Sequence, residues 1–526
     1  MEKTPEKEYS RKVRQAAAAL VVVLTVVSLI PPQSFGGVEL RRANILSDLV
    51  VYDDTPAEAP SAVLFDEEEF RIDLAEVVER IEAETAPPRV QTLYEWCAAP
   101  DNTPRRPIRP DTTLPKRIVP IEEFDTARRD GMQAFYDTLL TARRPVRIAV
   151  LGDSFIEGDI LTADLRERLQ ERYGGGGTGF APMASPLTAF RRTVKTTAKG
   201  WNAHNIMQRK KTPETLRDKF YVSGWVCQPA PGASTRWETT DYRRGPETST
   251  CGRIFFLSPR DSRLEVTIND TLHQEFAVEG AAAVRQIAVT APDIRSLGFR
   301  VVSGAESFVG YGAMLEGRGV TVDNYSIRSN NGQAMFWTNP SVNAQIDAML
   351  NYDLVILQYG LNIMQPGVTN YARYAEQIEK MVAYVRRCFP SAAVLVMGVS
   401  ERSTRGEQGF APMDALPHML RWQREAAQRT GAAFWNTCEA MRARGGMERF
   451  VANGWAGKDY THINYAGGRQ VALALFDALH DCARQQAETP AVREAAANVV
   501  DAAKLDALHR CLTPAIAPLP LNPPLQ

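Results

Sequence analysis

The run Arg147-Ile-Ala-Val-Leu-Gly-Asp-Ser-Phe-Ile-Glu-Gly-Asp159 constrains this chain more than any other stretch. The continuous apolar segment Ile148 to Leu151 reads as a strand buried on both faces, and it stops at Gly152-Asp153-Ser154. An amphipathic helical pattern, Thr162 to Tyr173, follows. Ser154 is thereby placed at the carboxyl end of a buried strand, where α/β proteins keep their sites. A serine leading into a helix also aims its own backbone N–H at whatever binds there. Ser154 is the candidate nucleophile.

The same grammar returns late in the chain. Asp353 to Gly360 reads as a strand, Tyr371 to Cys388 as a helix and Ala392 to Val399 as a strand. A helix around Met419 to Thr430, a short strand Ala432 to Asn436 and a closing helix Gly468 to Ala483 complete it. Strands with apolar interiors alternating with helices predict a parallel sheet covered on both faces. Between the two halves the pattern changes. Gly252–Leu257, Leu264–Ile268, Val284–Val289 and Leu297–Val302 are short, β-branched and aromatic, and turn residues separate them. Short strands at this spacing predict a β-sandwich or jelly roll inserted in the α/β domain. The glycine run Gly174 to Gly177, with Gly179, lacks the Lys and Ser/Thr of a phosphate-binding loop and reads as a flexible turn near the site.

The expected organisation is an export signal or N-terminal membrane anchor over 1–36 and an extended arm with packing helices over 37–140. The α/β domain occupies 146–204 and 313–485, the insertion 205–312, and a helical, Pro-rich tail 486–526. In the arm, helices are expected at Ile72 to Glu84 and from about Glu122 to Thr141. Arg11, Lys12 and Arg14 precede the apolar segment Ala16 to Ile30, which falls short of the roughly 20 residues of a membrane span. Ser34 and Gly36 suit cleavage after Gly36, and an uncleaved anchor with its basic end inside is the alternative. Both put the rest of the chain outside the cytoplasm, in the periplasm or cell envelope. A net charge of -1 gives no field for nucleic acid. Of seven cysteines, Cys227 and Cys251 are the disulfide candidate. No Cys/His cluster has metal spacing, so no metal or cofactor is expected.

A serine hydroxyl needs a base within hydrogen-bond reach, and the base needs a group to fix its tautomer. Asp459-Tyr-Thr-His462, in a loop before the closing helix, supplies both: His462 as base and Asp459 as its orienter. The same spacing recurs at Asp477/His480 and Asp506/His509, but inside predicted helices, where it reads as a surface contact. Tyr359-Gly-Leu-Asn362 lies at another strand end, so the Asn362 amide can face a developing oxyanion, and Gly360 lets the backbone turn there.

Gly152-Asp153-Ser154, Gly360-x-Asn362 and Asp459-x-x-His462, in that order, resemble the SGNH/GDSL hydrolases. The resemblance covers 146–200 and 315–485 and implies a three-layer flavodoxin-like domain. It also implies Ser154 as nucleophile, His462 as base and Asp459 as acid. The Ser154 N–H and Asn362 would contribute to the oxyanion hole. The family's remaining donor is a backbone N–H on a glycine, and Ser329 stands at that position within Val322 to Gly332. Phe155 replaces the leucine of the family name. A β-sandwich inserted after the first motif is similar to exported peptidoglycan O-acetylesterases, where it is a carbohydrate-binding-like module. The implied partner is an acetylated glycan, peptidoglycan or another envelope polysaccharide.

Three functions stand as expectations. The first is an exported esterase removing O-acetyl groups through an acyl-serine. The second is an O-acetyltransferase working beside a membrane-bound O-acyltransferase. The third is a non-catalytic glycan-binding protein on a hydrolase fold.

Overall fold

The computed structural model describes residues 33–35, 38–40, 94–97, 118–124, 131–141, 144–186, 190–242, 249–406 and 409–487. The predicted signal or anchor segment, the helix at Ile72 to Glu84, Asp506/His509 and the tail lie outside them. The chain divides into two units, Met1–Arg71 and Ile72–Gln526. In the first, Gln33–Phe35 and Val38–Leu40 pair as antiparallel strands. Everything below belongs to the second. Among the described residues, no helix is long and apolar enough to cross a membrane.

The α/β domain is built from β1 (Val146–Gly152), α1 (Thr162–Tyr173), β2 (Val320–Ser326), α2 (Pro340–Leu350), β3 (Leu354–Gln358), α3 (Ala372–Cys388), β4 (Ala393–Met397), α4 (Ala415–Thr430), β5 (Ala433–Trp435) and α5 (Tyr465–Ala487). The five strands are parallel in the order β2-β1-β3-β4-β5, and Ile121–Glu122 adds an antiparallel edge beside β5. This 2-1-3-4-5 order is that of flavodoxin-like sheets, with the switch point between β1 and β3. Every residue of β1, β3, β4 and β5 is buried, as apolar runs covered on two faces require. On one face α5 packs against α1 and a helix over Met132–Thr141; on the other, α3 packs against α2 and α4. Helix boundaries follow local chemistry. The Asn339 side chain accepts from the Ser341 and Val342 amides and Pro340 opens α2, while α4 ends at Gly431 in left-handed conformation.

Nine strands between α1 and β2, with Tyr94–Cys97 from upstream, make a second, mainly antiparallel sheet of ten strands among the described residues. It takes in more chain than the expected 205–312. Gly179–Pro182 and Val194–Asn205 belong to it, Val309–Glu316 closes it, and Tyr94–Cys97 joins in parallel beside Val284–Ile294. Val194–Asn205 escaped the sequence reading because it is a largely exposed edge, rich in Lys and Thr, with no apolar alternation. Instead of two separate sheets, hydrogen bonding is continuous. The fifteen-residue strand Trp225–Thr239 pairs with Val309–Glu316 at Cys227 and with Ser296–Ser303 farther along. Phe256 and Phe299, on strands that are not neighbours in this sheet, stack with centroids 6.5 Å apart, so the sheet folds over its own apolar core. Val309–Glu316 is buried along its whole length because it serves two cores: Ala313 and Leu315 face the inserted sheet's interior, while Tyr311 and Met314 join the α/β core.

Three expectations are corrected. The helix expected from about Glu122 begins only at Met132, because Ile121–Glu122 is taken up as the edge strand beside β5. Cys227 and Cys251 are free thiols. They lie opposite Gly310 and Glu316 of one strand, six residues or about 20 Å apart along it, far beyond disulfide reach. The glycine run is not a flexible turn. A Cβ on Gly175 would sit 2.5 Å from the Val320 backbone, one on Gly177 2.2 Å from the Leu315 carbonyl, and one on Gly179 2.4 Å from Asp323 Oδ1. The run is tight packing that lets the chain pass between the two sheets.

One buried ion cluster locks the sheets to the turn after Ser154. The Asp159 carboxylate accepts from Thr162 at 2.6 Å, Thr193 at 2.8 Å, and the guanidinium groups of Arg166 and Arg191 at about 3.1 Å. Arg166 also donates to the Val322 carbonyl of β2 at 2.6 Å, and Arg191 to the Thr178 carbonyl at 2.7 Å. Burial opposes the charge of Asp159, but the two arginines hold its carboxyl well below the usual carboxylate range. Asp159→Ala leaves two buried cations uncompensated and is expected to cost about 3–5 kcal/mol, read as a lower urea midpoint at unchanged m-value.

Candidate active site

The register of the parallel sheet gathers the predicted residues at one edge. Gly152 of β1 lies opposite Ser326 of β2 and Gln358 of β3. Ser154, Ser329 and Asn362 therefore follow their strand ends by two, three and four residues. Side chains tie these loops together. Arg328 pairs with the buried Glu157 in the turn after Ser154, Nε to Oε2 at 3.0 Å. Asn324 of β2 donates to the Ile156 carbonyl at 2.7 Å. Ser154 itself is half-buried at the head of this turn. Among the described residues, the backbone N–H groups of Ser154 and Ser329 donate to nothing, which leaves both free to meet an oxyanion.

Ser329 has φ +60°. The position is left-handed, which explains why the resembling family favours glycine there and how serine keeps the same N–H at some strain. Ser329→Gly is expected to retain activity and raise stability by about 0.5–1 kcal/mol, measured by thermal unfolding beside an ester-hydrolysis assay.

Asp459 and His462 are joined as predicted. The Asp459 Oδ2–His462 Nδ1 distance is 2.6 Å, and Asp459 Oδ1 accepts the Thr461 and His462 amides at 3.1 Å each. Tyr460, at φ +53°, lets the loop curl so that the carboxylate reaches the ring. Burial pushes the Asp459 carboxyl up, yet the hydrogen bonds from the His462 ring and the two amides bring it down to about 2. The His462 imidazole is raised above its ordinary value, first by that hydrogen bond and then by the charges of Asp459 and Asp153, against burial and Arg402. Its ring makes no hydrogen bond to the Ser154 hydroxyl among the described residues. The α5 end of the loop is held to the nucleophile turn by Tyr465, whose hydroxyl donates to the Gly158 carbonyl at 3.1 Å.

Asn362 reaches the site but is already engaged. Its amide nitrogen donates to Asp153 Oδ2 at 3.0 Å and to the Asn330 carbonyl at 3.1 Å. Asp153, fully buried beside Ser154, also accepts from the Phe155 amide at 2.9 Å. Burial pushes its carboxyl up to about 7 despite these donors. Sequence reading passed over Asp153 and Asn330, although both stand inside stretches it singled out; what hid them is that their partners come from other loops. Arg402, which donates to the Leu361 carbonyl at 3.1 Å, had no sequence signal at all.

The second Asp-x-x-His copy differs from expectation. His480 is buried in α5, 2.7 Å from the Tyr173 hydroxyl, rather than on the surface, and Asp477 lies 3.7 Å from Arg444. It is a packing group between α5 and α1. Among the described residues, no cluster of His, Cys, Asp and Glu could hold a metal ion.

With this geometry in place, comparison with solved structures places the fold. A peptidoglycan O-acetylesterase superposes with a TM-score of 0.57 at 22% identity, covering 69% of this chain and 99% of that one. The chain has the fold of a peptidoglycan O-acetylesterase. That likeness of fold stands beside the resemblance to SGNH/GDSL hydrolases carried by the three motifs. An acetyl xylan esterase covers 30% of this chain and 81% of its own at 16% identity and a TM-score of 0.24. A family two carbohydrate esterase from Cellvibrio japonicus covers 46% and 88% at 10% identity and 0.19. No protein-family profile matches the sequence, and no curated protein matches it.

Proposed function

We propose that this protein is an exported serine esterase that removes O-acetyl groups from a cell-envelope glycan. The observation that carries the reading is the 2.6 Å Asp459–His462 pair, with the Ser154 turn at the carboxyl edge of the sheet and, among the described residues, the Ser154 and Ser329 N–H groups unengaged. The fold shared with a peptidoglycan O-acetylesterase supports the substrate class. The basic and then apolar N-terminal segment supports export.

In this mechanism neutral His462 takes the Ser154 proton as Oγ attacks the acetyl carbonyl. Asp459 holds the Nδ1–H and stabilises the imidazolium. The oxyanion is met by the Ser154 and Ser329 N–H groups, and Asn362 exchanges one of its two acceptors for it. His462 then delivers the proton to the departing sugar oxygen, leaving acetyl on Ser154. Water, deprotonated by the same imidazole, attacks the acyl-serine and releases acetate. The dyad is open, with side chains of His462 and Asp459 60% and 51% exposed, which favours water over a glycan hydroxyl as acceptor.

Acetate release from O-acetylated peptidoglycan is the direct test. Ser154→Ala is expected to lower kcat by about 10,000-fold or more and to abolish labelling by a fluorophosphonate; activity or labelling retained in that variant refutes the reading. The pH profile supplies an independent check. The base must be neutral, so kcat/KM rises as pH climbs through the His462 pKa, which lies above the ordinary value of about 6.5. The acid limb is therefore expected to bend above that value in the wild type and at lower pH in Asp459→Asn, which loses the raising hydrogen bond.

A further inference from the structure

Beyond the dyad, the loop after β4 carries a second group of side chains with no role in the acyl-transfer steps. Arg402 begins a hairpin, Ser403–Gly406 paired with Gly409–Pro412, that is fastened to the catalytic loop by the Ser403 amide donating to the Tyr460 carbonyl at 3.0 Å. Phe410 of this hairpin stacks on Tyr460, with centroids 4.0 Å apart and planes 12° apart. Tyr460 sits between Asp459 and His462, and Phe410 is nevertheless 42% exposed. One aromatic face is held rigidly by the catalytic loop, and the outer one is offered to solvent.

The arginine is unusual. Nη1 donates to the Leu361 carbonyl at 3.1 Å, next to Asn362, and this fixes the guanidinium at the site. Nε is buried with no acceptor, Nη2 donates to nothing, and no carboxylate is within ion-pair distance among the described residues. The nearby Asp459 carboxylate is already turned to His462. Nε is closed off from solvent, whereas Nη2 is not, so Nη2 is the cationic N–H donor that a carboxylate can reach. Among the described residues this guanidinium has no anionic partner beside His462, so its charge is available to a bound ligand.

We propose that Arg402 and the Phe410–Tyr460 stack form a glycan subsite beside His462, in which a sugar ring lies on Phe410 and a sugar carboxylate meets Arg402. The inference rests on the esterase reading and specifies its substrate as an acidic glycan. Arg402 accepts the Met413 amide at the hairpin base and Arg405 lies opposite Phe410, so about 10 Å of hairpin separates the two contacts. That span suits an oligosaccharide better than a single sugar.

The test uses the full chain and O-acetylated oligosaccharides carrying a uronic acid, the same oligosaccharides after carboxyl reduction, and phosphorylated counterparts. The wild type is expected to favour the uronate in kcat/KM by about 10- to 100-fold, as a charge-assisted hydrogen bond gives, mainly through KM. Arg402→Gln is expected to bring the two rates together, Arg402→Lys to restore part of the preference, and Phe410→Ala to raise KM for both. Equal wild-type rates, a ratio unchanged in Arg402→Gln, or a preference for the phosphorylated arm overturns the proposal. If a small neutral aryl acetate is also not hydrolysed, the esterase reading has failed. The subsite is then judged by calorimetric titration with the deacetylated uronate oligosaccharide, where binding weakened at least about 10-fold by Arg402→Gln sustains it and equal binding overturns it.

Discussion

The structure depends on a carboxylate that does no chemistry. Asp159 stands five residues beyond Ser154, at the end of the nucleophile turn, and is fully buried between two arginines. Three charges so placed are tolerable only when each has its partners, because desolvation otherwise exceeds their attraction. Each guanidinium reaches onward, Arg166 to the β2 backbone and Arg191 to the strand that opens the inserted sheet. The turn that presents Ser154 is thus fixed relative to the α/β sheet and the insertion by one cluster. Displacing any of the three is expected to shift the turn that carries Ser154.

The insertion is integrated with the α/β domain rather than appended to it. It leaves through the packed glycine run and returns through Val309–Glu316, whose two faces serve two hydrophobic cores. A strand buried on both faces cannot shift register without exposing one set of side chains. The inserted sheet therefore supports β2, and β2 supports the loop of Ser329. This coupling explains why a β module can interrupt the domain directly after its first motif without loosening the site.

At the site the protein keeps two kinds of donor. Among the described residues the Ser154 and Ser329 N–H groups donate to nothing, whereas the Asn362 amide is held by Asp153 and the Asn330 carbonyl. Burial pushes the Asp153 carboxyl up against the hydrogen bonds that hold it. The carboxyl orders Asn362 without confronting the substrate. Ser329, which stands where the resembling family has glycine, preserves the N–H because a left-handed serine presents the same backbone as a glycine, at the cost of strain alone.

Much of this was legible in the sequence, for a physical reason: local chemistry writes itself into local spacing. Apolar runs announced β1 and β3, helical periodicity announced α1 and α3, and Asp459-x-x-His462 announced a pair that a tight loop brings to 2.6 Å. What escaped reading depends on residues distant in sequence. A polar edge strand such as Val194–Asn205 is a strand only because Trp225–Thr239 lies beside it. Cys227 and Cys251, close in the chain, are parted by the strand between them. His480 repeats the spacing of His462, but its helix faces α1 and buries it. The glycines looked loose because a sequence cannot show what presses against them. The sequence by itself determined the parallel sheet, its alternating helices and the identities of serine, aspartate and histidine. Only tertiary structure decided the Asp159 cluster, the hold of Asp153 on Asn362 and the Arg402 donor left without an acceptor among the described residues, since register and packing decide which side chains meet.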